Sequence, residues 1–366
     1  MKVTKYVWIF GLMALMAMGL AACGADDPTA TPTPRPQATP TPTAMMEEQP
    51  SDTMMAAECP DDSKPEIVFT DLDWTSGLIQ AAIAEQIVQL GYCYPTDGIL
   101  LSTIPGMQAL VNGDTHISME IWIPNQIEAW STALEQGTVE NAGKSLEDNW
   151  QATFVIPQYT KDANPGLVSV EDLKKEEYYS LFETVDSEGK ARLLNCIPGW
   201  ECEKVNLEKI ESYGLDDYVE SINPGSGAAL EAEIRASLEK EEDVLFYYWG
   251  PTTLMHDAQT KYGGYYILEE EEYSDECWET GKKCAYGLAE VYIGINSDLK
   301  TIAPDLIPFL EAWDFNAGNQ LAAEGYKAES NADIDDVAVW FLQNTEEWKT
   351  WVPEDIAANV LHNLAG

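Results

Sequence analysis

Apolar and polar positions switch between a period of two and a period of three to four along the chain, and the switches mark the elements. EIVFTD (66–71) is a short, β-branched strand. SGLIQAAIAEQIVQLGY follows, with Ile79, Ile83 and Ile87 on one face and Ala82 and Leu90 beside them. That spacing predicts an amphipathic helix, capped by Thr75 or Ser76 and closed near Gly91. GILLST reads as the next strand, PGMQALVNG as a short helix and HISMEIW as a third strand. Strand, helix and strand in this order predict a parallel sheet covered by helices. WQATFVIP (150–157) is a further strand, after which the pattern becomes more polar. A second α/β unit is predicted there, with helices at about 205–213 and 228–240 and the strand DVLFYYW. YGLAEVYIGIN (286–296) is a long apolar strand that can carry the chain back, and the tail, with Trp313, Trp340, Trp348 and Trp351, is helical. No internal repeat is visible.

The N-terminus has a different pattern. Lys2 and Lys5 precede an uncharged apolar run that closes on Leu20-Ala21-Ala22-Cys23, which reads as a secretory signal (1–22) ending in a lipobox, with Cys23 as the lipidated residue. The apolar run is at the short end of the ~17 to 25 residues that a membrane span needs. Alternating Pro and Thr then favour an extended polyproline spacer, so 23–63 is read as a lipid-anchored linker that carries a globular body outside the cytoplasm.

Composition narrows the partners. Sixty-three acidic residues against twenty Lys and Arg leave a formal charge of -43. Nucleic acid and anionic lipid would be repelled by such a surface. With Cys23 assigned to lipid, six cysteines remain for an oxidising compartment, where they read as disulfides. Spacing pairs Cys196 with Cys202 and Cys277 with Cys284, leaving Cys59 with Cys93. No cysteine pair has metal-ligand spacing and only His116, His256 and His362 could assist, so neither a metal nor any other cofactor is expected.

The tryptophans carry the candidate chemistry. Trp74 follows the first strand, Trp122 ends HISMEIW, Trp249 ends DVLFYYW, and Trp200 sits on a Pro-Gly turn inside CIPGWEC. Ligands of open parallel α/β sheets bind beyond the carboxyl ends of the strands. A quaternary ammonium has no N–H to donate, so hydrogen bonds cannot select it, whereas indole faces attract it by ~0.5 to 2 kcal/mol each. Three faces supply at most ~6 kcal/mol, and micromolar affinity needs about 8 kcal/mol, so a second recognition element is expected. The backbone N–H groups of Glu201 and Cys202, at the start of the helix after Trp200, form a candidate anion site.

These blocks resemble the extracytoplasmic substrate-binding proteins of ABC importers for glycine betaine, proline betaine and choline. The matching pieces are DLDWTSG, GYCYPTDG, GDTHISMEIWIPN, LFETVDSEGKARLLNCIPGWECE, LFYYWGP and YGLAEVYIGINSDL. The resemblance implies a two-lobed α/β fold of the periplasmic-binding-protein type (type II), with 64–157 plus 290–366 as lobe 1 and 158–289 as lobe 2, hinged near 152–157 and 288–294. It implies a cage of Trp122, Trp200 and Trp249, with Trp74 matching a ring found in only some relatives, notably choline binders. It implies a membrane permease as partner and a monomer that catalyses no reaction. Two positions depart from betaine-binding relatives, which tend to carry Gly where this chain has Glu201 and His where it has Gln126. Gln126 still donates through its amide. Glu201 brings negative charge to the anion site and favours a ligand with a hydroxyl or a smaller acid group. The segment 186–192 corresponds to a calcium-loop-like run in some relatives, but Lys190 and Arg192 stand where ligands would be needed, so no calcium is expected.

Two other classes are set against this one. An extracellular glycan-active enzyme also uses aromatic walls and carboxylate pairs, but no hydrolase nucleophile motif is present. A surface adhesion lipoprotein explains the stalk and leaves the strand-end tryptophans unexplained.

Overall fold

The computed structural model describes Cys59 and residues 64–365. The signal, the lipidation residue Cys23 and nearly all of the linker lie outside the described residues.

Two five-stranded sheets organise the rest. The first has the order β2-β1-β3-β10-β4, with β1 (Ile67–Leu72), β2 (Thr96–Leu101) and β3 (Ile117–Ile123) parallel. β10 (Glu290–Asn296) lies antiparallel between β3 and β4 (Val139–Leu146). The second sheet repeats the plan as β7-β6-β8-β5-β9. Here β6 (Ala191–Leu194), β7 (Val219–Ile222) and β8 (Leu245–Gly250) are parallel, and β5 (Trp150–Pro157) runs antiparallel between β8 and β9 (Tyr265–Ile267).

Ile79, Ile83 and Ile87 of helix Thr75–Leu90 are fully buried and pack with Ile67 and Phe69 of β1, as the periodicity predicts. The C-terminal helices close the same core through Phe341, Trp348 and Trp351. Buried area of this kind stabilises at roughly 25 cal/mol per Å² of apolar surface. The second lobe has its own core around Phe154, Leu193, Leu245 and Ile210. A separate cluster, which includes Trp74, Trp122, Trp200 and Trp249, draws on both lobes.

Several elements differ from expectation. β5, placed in lobe 1 by the sequence reading, is hydrogen-bonded entirely within the second sheet, and β10 entirely within the first. The chain therefore crosses between sheets at 147–149 and again between β9 and β10. β5 is buried almost throughout, so its apolar run suits the interior of either sheet equally. β4 (VENAGKSL) was not anticipated, because Asn, Gly and Lys interrupt its alternation. The first helix takes Trp74 as its N-cap residue, with no side-chain cap from Thr75 or Ser76. The helix after the cystine loop begins at Glu201, earlier than expected, and runs to Ser212.

All three expected disulfides are formed: Cys59–Cys93, Cys196–Cys202 and Cys277–Cys284. In the segment 186–192, Arg192 binds Asp186 at 3.2 Å and Glu233 at 2.6 Å, so its guanidinium occupies the acidic side chains there.

Candidate solute-binding site

A small cavity, of about 30 Å³, lies where the carboxyl ends of the two sheets meet. From the first lobe come Trp74, at the turn after β1, and Trp122, near the end of β3. From the second come Trp200, the N-cap residue of helix Glu201–Ser212, and Trp249, on β8. The four indoles are 3–8% exposed. Trp200 meets Trp74 edge-on at 5.4 Å and 77°, and Trp249 at 5.5 Å and 80°. Such T-shaped contacts set the rings across one another, so that their faces can wall a small space from several sides.

Polar groups hold the rings from behind. Glu120 and Trp122 are two apart on β3 and so share a face of the sheet. Trp122 Nε1 donates to Glu120 Oε2 at 2.9 Å, and Trp74 Nε1 donates to the same oxygen at 2.7 Å. Gln80 Nε2 donates to Oε1 at 2.5 Å. Burial pushes the Glu120 carboxyl above the usual range, and the N–H donors oppose that shift. Trp200 Nε1 donates across the cleft to Asp73 Oδ1 at 2.5 Å. Burial likewise raises the Asp73 carboxyl. Trp249 stacks on Tyr248 at 4.4 Å and 17°, and its buried Nε1 has no acceptor among the described residues.

One side of the cavity is polar. Tyr247 OH donates to Gln151 Oε1 at 3.0 Å, and Asn125 exchanges two amide hydrogen bonds with Gln151 at 2.8 and 3.2 Å. Asn125 and Gln151 belong to different lobes, so this pair bridges the cleft. A second bridge runs from Ile104 N to Gly199 O at 3.2 Å. Thr103 and Gln126 complete the wall.

The structure brings every residue of the sequence-predicted site to this one cavity: Trp74, Trp122, Trp200, Trp249, Glu201, Cys202 and Gln126. Glu201 is turned toward Lys204, 3.3 Å away, and among the described residues is the only charged side chain on the lining. Sequence reasoning missed Glu120, Asp73, Asn125, Gln151 and Tyr247. An acid in an otherwise apolar strand, two residues before a strand-end tryptophan, was the available signal for Glu120.

Two α/β lobes closed over a small aromatic cavity define the class of solute-binding proteins. A family model described as the substrate-binding domain of ABC-type glycine betaine transport systems matches residues 65–344, and the chain belongs to that family of binding proteins, which are not enzymes. A glycine betaine-binding periplasmic protein of Dickeya dadantii is 30% identical over 40% of this chain and 43% of its own length, so this chain spans less than half of that relative. The glycine betaine/proline betaine-binding periplasmic protein of Escherichia coli is 22% identical over 69% of this chain and 78% of its own. A trimethylamine N-oxide-binding protein of Pelagibacter ubique is 24% identical over 78% and 90%. Among solved structures, an ABC-transporter choline-binding protein in complex with choline superposes with a TM-score of 0.65 at 19% identity, over 82% of this chain and 98% of that one. A lactococcal protein in its closed conformation with glycine betaine gives 0.61 at 16%, over 79% and 100%. At these identities the structural likeness shows the two-lobed fold. Among the described residues no helix is long and apolar enough to cross a membrane.

Proposed function

We propose that this protein captures a quaternary ammonium compatible solute, of the glycine betaine, proline betaine or choline type, in a cage of Trp74, Trp122, Trp200 and Trp249 and delivers it to a membrane permease. The observation that carries this reading is the convergence of four buried indoles from two lobes on one cavity whose lining has no basic side chain among the described residues. A cation without N–H groups gains from aromatic faces what it cannot gain from hydrogen bonds. The polar wall of Asn125, Gln126, Gln151 and Tyr247, with the free N–H groups of Glu201 and Cys202, suits the hydroxyl, oxide or carboxylate end of the solute. We further read Cys23 as the lipid anchor of a monomer outside the cytoplasm, with 64–146 plus 290–365 as one lobe and 150–289 as the other.

Calorimetric titration with choline, glycine betaine, proline betaine and trimethylamine N-oxide tests the reading. At least one should bind one-to-one at micromolar Kd or better, and Trp200→Ala should weaken it about tenfold or more. Absence of binding across the panel, or full affinity in Trp200→Ala, refutes it.

A further inference from the structure

Resting on that reading, we propose that Glu120 is a specificity-determining positioning residue: it fixes the rings of Trp74 and Trp122 and sets an uncompensated negative charge behind the cage, so that the site selects net positive charge as well as shape.

Glu120 is 1% exposed and forms no ion pair among the described residues, where sixteen are formed elsewhere, including a buried one. A buried carboxylate without a counter-cation is costly to keep. Ring orientation alone does not require it. A glutamine at 120 would accept both indole N–H groups on one oxygen, and its amide nitrogen would bond Gln80 once the Gln80 amide rotated. Charge is what glutamate adds. The three side chains bonded to its oxygens, Trp74, Trp122 and Gln80, are all donors, which favour the anion against the burial that pushes the carboxyl up.

The remaining charges near the cage point the same way. Trp200 also ends on a carboxylate, Asp73, so three of the four indole N–H groups are held by acids. Glu201 is paired with Lys204 and adds no positive charge to the lining. A bound trimethylammonium head against the Trp74 and Trp122 faces would have Glu120 as the anion behind both rings. A zwitterion gains this attraction at its head and loses part of it at its carboxylate, whereas choline carries no such opposing charge.

The test uses three probes of similar shape: choline, glycine betaine and 3,3-dimethylbutan-1-ol, the uncharged isostere of choline. In Glu120→Gln, choline should weaken about tenfold or more, from a charge ~7 Å away at an effective dielectric of about 20, while the isostere changes less than about twofold. Glycine betaine should lose less than choline. Equal losses for choline and the isostere would mean that Glu120 only holds the rings, and no loss for choline would remove it from recognition; either overturns the proposal. Should Glu120→Gln fail to fold, the exchange Gln80→Glu with Glu120→Gln decides. It leaves every donor satisfied, with Ser145 Oγ, which bonds Gln80 at 2.9 Å, now donating to the carboxylate at 80. Moving the charge farther from the cage should lower the choline-to-isostere ratio a few-fold. An unchanged ratio overturns the proposal. If the unaltered protein binds no quaternary ammonium at all, the cage reading has failed instead.

Discussion

Closure of the cleft should take up a proton at Glu324. This residue lies on helix Ala317–Ser330 of the first lobe, is 5% exposed, and accepts a hydrogen bond from Thr253 N of the second lobe at 2.6 Å. Its other oxygen accepts from Gln320 Nε2 at 2.6 Å. Glu324 borders a second cavity, behind Trp74 and Trp249, together with Glu231, Tyr248 and Thr252. The charged groups facing it are Glu231 and, beyond that carboxylate, Arg235, which binds Glu231 at 3.0 Å and Asp257 at 2.7 Å. Burial first, and then the nearby Glu231 charge, push the Glu324 carboxyl from 4.5 up to about 7. Gln320 Oε1 has no donor among the described residues, so a rotated Gln320 amide offers an acceptor to the protonated acid. Opening exposes Glu324 and returns its pKa toward the ordinary value. The closed state thus holds a proton that the open state releases. Its stabilisation is complete below about pH 4.5 and is lost as pH rises through about 7. Ligand affinity, which follows closure, should be about tenfold tighter at pH 6 than at pH 8 by this linkage. Burial also raises Asp73, which bonds Trp200 across the cleft, so the pH profile alone does not identify the group. Glu324→Gln does, because a neutral side chain keeps the closed geometry at every pH. Calorimetry on that variant should show affinity at pH 8 at least equal to that of the parent at pH 6, and a flatter profile. A profile as steep as the parent's would refute the reasoning.

Three further outcomes are expected. Replacing both Cys196 and Cys202 by Ser should cost about 2 kcal/mol of stability for so short a loop, read by urea denaturation, and should weaken ligand by releasing Trp200 and the helix start together. Glu201→Gln should tighten glycine betaine only about two- to threefold and leave choline nearly unchanged by titration, since Lys204 at 3.3 Å already screens that carboxylate. Lys209→Met should cost about 3–5 kcal/mol in chemical denaturation, because it strands Glu270, its partner at 2.7 Å with 0% and 2% exposure, as an unpaired buried charge.

What the sequence makes legible follows from where the determining contacts lie. Trp122 and Trp249 are readable as site residues because each ends an apolar strand, and strand ends of parallel sheets face the crevice. CIPGWEC is readable because its two cysteines stand only six positions apart. Glu120 is hidden for the opposite reason. Its partners Trp74 and Gln80 are 46 and 40 residues away and reach it only because β1 and β3 pair side by side. Asp73 binds Trp200 across 127 residues and across the cleft, a contact that exists only when the lobes are together. Glu324 reaches Thr253 over 71 residues in the same way. In a chain with sixty-three acids, nothing local separates Asp73 and Glu324 from the solvated majority, and Glu120 is marked only by its place in an apolar strand two residues before Trp122.

The lobe boundary shows the same limit from the side of packing. β5 is apolar at nearly every position because both of its faces are covered, and a strand of that kind carries no periodic mark of which sheet it joins. Its partner is decided by the two-residue Glu147–Asp148 step and Asn149, after which Trp150 pairs with Gly250 and stacks on Tyr265 at 5.6 Å. Gly250 has no room for a side chain, since an added Cβ would stand 2.2 Å from Trp150 Nε1. The ring of Trp150 therefore locks the end of β8 to the start of β5 one residue beyond Trp249. The cage wall and the point at which the chain enters the second lobe are thus built from neighbouring residues, so a motion of the lobes about that crossing carries Trp249 as part of a rigid unit. Trp74 and Trp122, tied to one carboxylate on the first sheet, form the opposing unit, and Trp200 joins them across the cleft through its bond to Asp73 and its edge-on contact with Trp74. The four indoles are divided along the line on which the lobes part, so the proposed capture of a solute between them requires the lobes to be together.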